Sequence, residues 1–118
     1  MGSQKIGFEG EQTAVDYLLT HGIEILQRNF HSRYGEIDII GLDKNNQTLI
    51  FYEVKAYEKN NWVSPYEMVH FGKQKKIIAT AKYFLCRHPA FEYDIRFDVI
   101  VVLGRRIDAH IEDAFRLN

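Results

Sequence analysis

Two carboxylates in this chain interrupt apolar runs. Asp38 stands in Ile37-Asp38-Ile39-Ile40, and Glu53 in Phe51-Tyr52-Glu53-Val54-Lys55. Both stretches read as strands. Side chains alternate along a strand, so Glu53 and Lys55 project from one face and Val54 from the other. If the two strands are hairpin partners, Asp38 and Glu53 can lie side by side. Carboxylates held together repel, and a bound divalent cation removes that cost; magnesium and manganese favour such oxygen ligands. Lys55 then stands where phosphate chemistry needs a cation. It could neutralise a scissile phosphate, or orient or help deprotonate an attacking water. The chemistry so assembled is metal-dependent phosphodiester hydrolysis, and it requires Asp38 and Glu53 to share a face of the sheet. The competing reading is a partly buried ion network without metal, because E-x-K alone has little specificity. Several charges buried without a ligand would be poorly compensated, however.

The elements around these residues follow from spacing. Residues 7–20 read as a helix whose inward stripe is Ala14, Val15, Leu18 and Leu19. Glu11 shares that stripe and needs a cationic partner there. Gly22 supplies the stop. A first strand runs from about Ile23 to Asn29, and His31 to Gly35 is a turn. A second strand carries Asp38 and a third Glu53, joined by the polar loop Asp43 to Gln47. Ser64-Pro65 opens a long helix, Ser64 as cap, with Ile77, Ile78, Ala81, Phe84 and Leu85 as its apolar face. Cys86 reads as core filler within that pattern. A fourth strand, Ile95 to Leu103, precedes a tail with a short strand around Ala109 to Ile111 and Phe115 covering an edge. The order is that of an α/β protein with a mixed sheet between helices.

Composition narrows the partners. The 118 residues suit one compact domain, spanning 1–118. No stretch approaches the roughly 20 apolar residues of a bilayer span, and the opening residues lack the apolar run of a secretory signal. The lone cysteine excludes an internal disulfide and leans towards a reducing, cytoplasmic setting. A net charge of -1 does not advertise nucleic-acid binding. Carboxylates needed for catalysis can nevertheless mask a local basic patch in that sum.

Further residues are candidates with ordinary structural alternatives. Glu36, two residues before Asp38, could support the site from its own strand face. Arg33 and Tyr34 in the turn could touch a phosphate backbone, or be solvated. Ser64, Lys73 and Lys76 could contact phosphates if the long helix borders the site. Tyr57 and Trp62 could stack on a base or simply cover a loop. Arg96 and Asp98 read as a structural pair. The five histidines show no metal-ligand spacing with one another, which speaks against zinc, and His110 reads as holding a local backbone contact.

The motifs resemble the YraN-type uncharacterised protein family UPF0102 of the restriction-endonuclease-like superfamily, which is related to archaeal Holliday junction resolvases. The resemblance rests on Gly7-Phe8-Glu9-Gly10-Glu11 and Arg28-Asn29-Phe30, then Gly35-Glu36-Ile37-Asp38 and Glu53-Val54-Lys55. It continues through Ser64-Pro65-Tyr66-Glu67-Met68-Val69 with Lys73, Arg96-Phe97-Asp98-Val99, and His110 to Phe115. It implies an α-β-β-β-α-β core with a central mixed sheet flanked by helices. It also implies metal ligation by Asp38, Glu53 and the helical Glu11, catalysis by these three with Lys55, and Mg²⁺ or Mn²⁺ as the cofactor. The chain departs from the family after Lys55: Ala56-Tyr57 stand where a basic residue is common, and Ile37 replaces a proline frequent in restriction enzymes.

The function these residues support is that of a metal-dependent nuclease acting on DNA, with branched or non-standard DNA implied only by the likeness to resolvases. A two-fold dimer is a conditional expectation. The alternative is a non-catalytic nucleic-acid-binding or accessory protein retaining the fold, favoured by the missing basic residue and the low net charge. A third is an interaction module with neither metal affinity nor a basic rim.

Overall fold

A computed structural model of the chain describes residues 2–58, 69–89 and 92–117. Its elements run α1 (Gly2–Thr20), β1 (Glu24–Ser32), β2 (Gly35–Asp43), β3 (Thr48–Tyr57), α2 (Phe71–Arg87), β4 (Asp94–Leu103) and β5 (Arg106–Phe115). The five strands lie in sequence order. β3 and β4 are parallel and the other neighbours antiparallel, so the sheet is mixed, as expected. A parallel pair cannot be joined by a tight turn, and α2 lies in the crossover. Among the described residues no helix is long and apolar enough to cross a membrane.

α1 ends in a Schellman motif. Gly22 takes φ 78°, Ile23 N–H bonds Leu18 O at 3.0 Å and Gly22 N–H bonds Leu19 O at 3.2 Å. Ala14, Val15, Leu18 and Ile23 pack on Ile39, Ile50, Tyr52, Ile100 and Val102, forming one core layer. Leu19, expected on this stripe, is 55% exposed, since it lies one helical step round from Leu18. On the opposite face Ile77, Ala81 and Phe84 of α2 pack on Ile40, Leu49, Phe51, Val99 and Val101, with Ile78 and Leu85 at the margin. Phe97 stacks between Phe51 and Phe115, with ring centroids 5.4 and 5.0 Å away.

Several boundaries differ from expectation. β1 and β2 extend until only Arg33 and Tyr34 turn between them. β5 is a full edge strand of 10 residues rather than a short one. α2 does not run from Ser64: His70 is extended (φ -73°, ψ 170°) and is the N-cap, so the helix starts at Phe71. Trp62, Ser64 and Pro65, with the cap assigned to Ser64, lie outside the described residues. Cys86 is exposed on α2, not core filler; it follows the buried Phe84 by two residues, roughly 200° round the helix.

Register shifts interrupt the β1–β2 pairing between Ile25 and Gln27 and the β4–β5 pairing at two places, and a change of face falls at Asp38. Ile37 packs in the α2-side layer and Ile39 in the α1-side layer, although residues two apart normally share a face. On β1, Asn29 falls between the pairs Arg28↔Ile39 and Phe30↔Ile37 and takes φ 51°. Asparagine tolerates this left-handed conformation better than most residues. The twist sends Phe30 to the α2 side and Arg28 towards α1, where it bonds Gln12.

Candidate metal and phosphate site

Asp38 is positioned by the end of a ladder. The last β2–β3 register pair on this side is Ile39↔Tyr52. Beyond it the Val54 N–H donates to Asp38 Oδ2 at 2.7 Å, so the side chain takes over a backbone partner where the strands diverge. Glu53 follows Leu49 and Phe51 on the α2 face and is 5% exposed. The two acids meet: their carboxyl groups hydrogen-bond each other. Burial first, and the Glu53 charge second, push the Asp38 carboxyl up to about 8, against the opposing pull of the Val54 N–H. At neutral pH the pair therefore retains a proton.

Two lysines converge on the same acid. Lys55 Nζ lies 3.3 Å and Lys73 Nζ 2.5 Å from Glu53 Oε2. Lys55 comes from β3, two residues along the same face; Lys73 comes from the first turn of α2. Burial pulls the Lys55 ammonium below the ordinary lysine value, and the adjacent Lys73 adds to this. Burial works against the Lys73 ammonium too, but its hydrogen bond and attraction to Glu53 prevail and raise it.

The other expected site residues lie at graded distance. Glu11 meets its cation in Arg28, at 3.8 Å, and burial still holds its carboxyl above the usual range. Glu36 and Glu53 act on it electrostatically. Its carboxylate does not close on Asp38 and Glu53 as a third ligand within 4.8 Å. Glu36 pairs with His31 at 3.3 Å, both well exposed. Arg33 bonds the Tyr34 hydroxyl at 2.9 Å and lies over its ring. Lys73 and Lys76 line a cavity of about 420 Å³ with Gly35, Glu36, His70 and Ile77. Tyr57 is half-buried against the α2-side core.

A second polar cluster lies on the α1 face. Asp98 is fully buried and accepts from Arg96 Nε at 2.8 Å, Arg96 Nη2 at 2.9 Å and Asp113 N–H at 3.0 Å. His110 Nε2 lies 2.8 Å from the same carboxylate, and its Nδ1 2.8 Å from the Tyr17 hydroxyl. The Arg96–Asp98 pair is thus as expected, whereas His110 holds side chains rather than backbone. Burial opposes ionisation of Asp98, but the bonds from His110, Arg96 and Asp113 outweigh it and hold its carboxyl below the usual range. Among the described residues Asp98, His110 and Glu112 are the one group of three ligating side chains whose donor atoms lie within 4.8 Å of one another, a set that could hold a metal ion. In the structure the Arg96 guanidinium fills the cationic place, and the oxygens of Asp98 are fully engaged.

Sequence spacing missed this cluster because Tyr17, Asp98 and His110 come from three elements. It also missed that Lys73 touches Glu53; its only signal was a lysine in the first turn of a helix abutting the strand.

The chain matches the model of the uncharacterised protein family UPF0102 over residues 10–102. A UPF0102 protein of Clostridioides difficile is 43% identical over 117 residues, covering 98% of this chain and 100% of its own. One of Persephonella marina is 41% identical over 112 residues, covering 95% and 94%. One of Chlorobium phaeobacteroides is 46% identical over 99 residues, covering 84% and 77%.

Proposed function

This chain belongs to the uncharacterised protein family UPF0102, within the restriction-endonuclease-like superfamily, and from that premise we propose that it is a divalent-metal-dependent endonuclease hydrolysing phosphodiester bonds in DNA. The observation that carries the reading is the acid pair. Asp38 and Glu53 are held in hydrogen-bonding contact beside Lys55, at a cost that leaves one proton bound at neutral pH.

That donor set fits Mg²⁺ or Mn²⁺: two hard carboxylates whose mutual repulsion a divalent cation relieves. Asp38 and Glu53 would hold the ion, with Glu11 joining through a water. Such a cation would supply charge neutralisation at the scissile phosphate and activation of water. The remaining work falls to the chain. Lys55 donates to a non-bridging phosphate oxygen or orients the attacking water. Val54 N–H holds the Asp38 carboxyl in place beside Glu53. Lys76, in the cavity that Lys73 also borders, and Arg33 and Tyr34 in the β1–β2 turn are the proposed backbone contacts. Ser64, outside the described residues, is proposed as a further phosphate contact. These contacts position a backbone without reading its sequence. Branched DNA is the favoured substrate form, a two-fold dimer the favoured assembly and the cytoplasm the favoured location.

Ala56 and Tyr57 after Lys55 favour a second reading, an accessory protein that binds DNA without cutting it. Incubation with single-stranded, duplex, flap and four-way-junction DNA, in Mg²⁺ or Mn²⁺, separates the two. The nuclease reading expects cutting of at least one form. A folded protein that binds the junction but cuts nothing in either metal would establish the accessory reading instead.

A further inference from the structure

Two ammonium groups on one carboxylate oxygen is an unusual concentration of cation. Lys73 Nζ is 2.5 Å and Lys55 Nζ 3.3 Å from Glu53 Oε2, and Glu53 is nearly sealed from solvent. The two ammonium groups share that one oxygen and repel each other, a closeness that like charges tolerate only beside an anion. Lys55 is constrained to Glu53 by the strand, since both lie on one face two residues apart. Lys73 is not so constrained. Its side chain is 37% exposed, and it borders the 420 Å³ cavity between the β1–β2 turn and α2, where Lys76 and His70 also stand.

Resting on the metal-dependent reading of this site, we propose that Lys73 is a placeholder cation. It neutralises Glu53 in the metal-free protein, is expelled when a divalent ion binds Asp38 and Glu53, and swings into the adjoining cavity to hold a substrate phosphate. The physical reason is charge balance. The two carboxylates balance one divalent ion, and Lys55 alongside already leaves a positive excess. A third cation pressed on Glu53 then meets repulsion that the buried site screens weakly. The cavity offers the freed ammonium solvent and, once DNA is bound, a phosphate oxygen. Loading of metal and capture of substrate are thereby coupled through one flexible side chain.

The test measures metal binding without turnover. Mn²⁺ is titrated calorimetrically into wild-type protein and the variants Lys73→Gln, Lys73→Arg and Glu53→Gln. Removing the competing cation should tighten Mn²⁺ binding in Lys73→Gln by about fivefold, the upper scale of one partly exposed ion pair. Lys73→Arg, which keeps the charge, should stay near wild type. With Ca²⁺ replacing Mn²⁺, Lys73→Gln should bind a four-way junction several-fold more weakly than wild type. Unchanged or weaker Mn²⁺ binding by folded Lys73→Gln would overturn the placeholder role while leaving the metal site standing. Wild-type protein that binds no Mn²⁺, or binds it equally well after Glu53→Gln, would overturn the site itself and this inference with it.

Discussion

Asp38→Asn should make the protein more stable, by an amount that grows with pH. Asp38 lifts its carboxyl from 3.8 to about 8 on folding, a shift of about four pH units. Between those values the unfolded chain has released this proton and the folded chain has kept it. The folded state thus binds more protons than the unfolded one, and stability falls as pH rises from about 4 to about 8. At about 1.4 kcal/mol per unit the ceiling is roughly 6 kcal/mol. Asp38 is not fully buried and shares its proton with Glu53, and relaxation of the site lowers the figure, so about 2–3 kcal/mol is the expected gain. Asparagine keeps an oxygen for the Val54 N–H and offers an N–H to Glu53, but has no proton to lose. Urea unfolding of both proteins from pH 4 to pH 9 tests this. The curves should lie closest near pH 4 and separate steadily towards pH 8, the variant above. In melting temperature the separation is about 10 °C for a chain of this size. Adding Mn²⁺ at pH 8 should raise wild type and leave the variant unmoved. A variant equally or less stable than wild type across the whole range would refute the claim that the acid pair is strained.

Other substitutions probe the frame that holds the site. A Cβ on Gly10 would collide with Ala56, which adjoins Lys55 on β3. Gly10→Ala should therefore push α1 off the sheet and cost about 1–3 kcal/mol in denaturant unfolding. Asp98→Ala strands Arg96, His110 and the Asp113 N–H at once; a loss of about 3–5 kcal/mol is expected, read by thermal melting at pH 7. Among the described residues the Tyr52 hydroxyl is the one buried side-chain polar atom without a hydrogen-bond partner. Tyr52→Phe should accordingly cost less than about 0.5 kcal/mol or stabilise slightly, and a larger loss by the same assay would count against an unpartnered hydroxyl.

Much of the fold is legible in the sequence because the sheet centre announces itself. Thr48 to Tyr52 and Phe97 to Val102 are buried nearly throughout, and their apolar runs read as strands without ambiguity. Asp38 and Glu53 stand out for the same reason: a carboxylate within such a run needs an explanation. β5 is harder to read. As an edge strand it buries few side chains, and Asp108, Glu112 and Asp113 dilute its pattern. The face change at Asp38 is invisible in composition, since it depends on the backbone of Asn29, one left-handed residue in a neighbouring strand. Lys73 reads as one of several helical lysines, and only the docking of α2 on the sheet selects it for Glu53. Glu11 shows both sides: its need for a cation follows from the helical stripe, while the identity of that cation, Arg28, depends on the same twist at Asn29.

The catalytic assignment is tested most directly by single-turnover cleavage of the best DNA substrate in Mn²⁺ by wild-type protein, Lys55→Ala and Asp38→Asn. All three must be shown to be folded by circular dichroism. Wild type is expected to cut, and each variant to fall by at least about 100-fold, the scale of a lost transition-state contact. Cutting that persists in both variants at the wild-type rate would place the chemistry elsewhere and contradict the assignment of Asp38, Glu53 and Lys55 as the catalytic group.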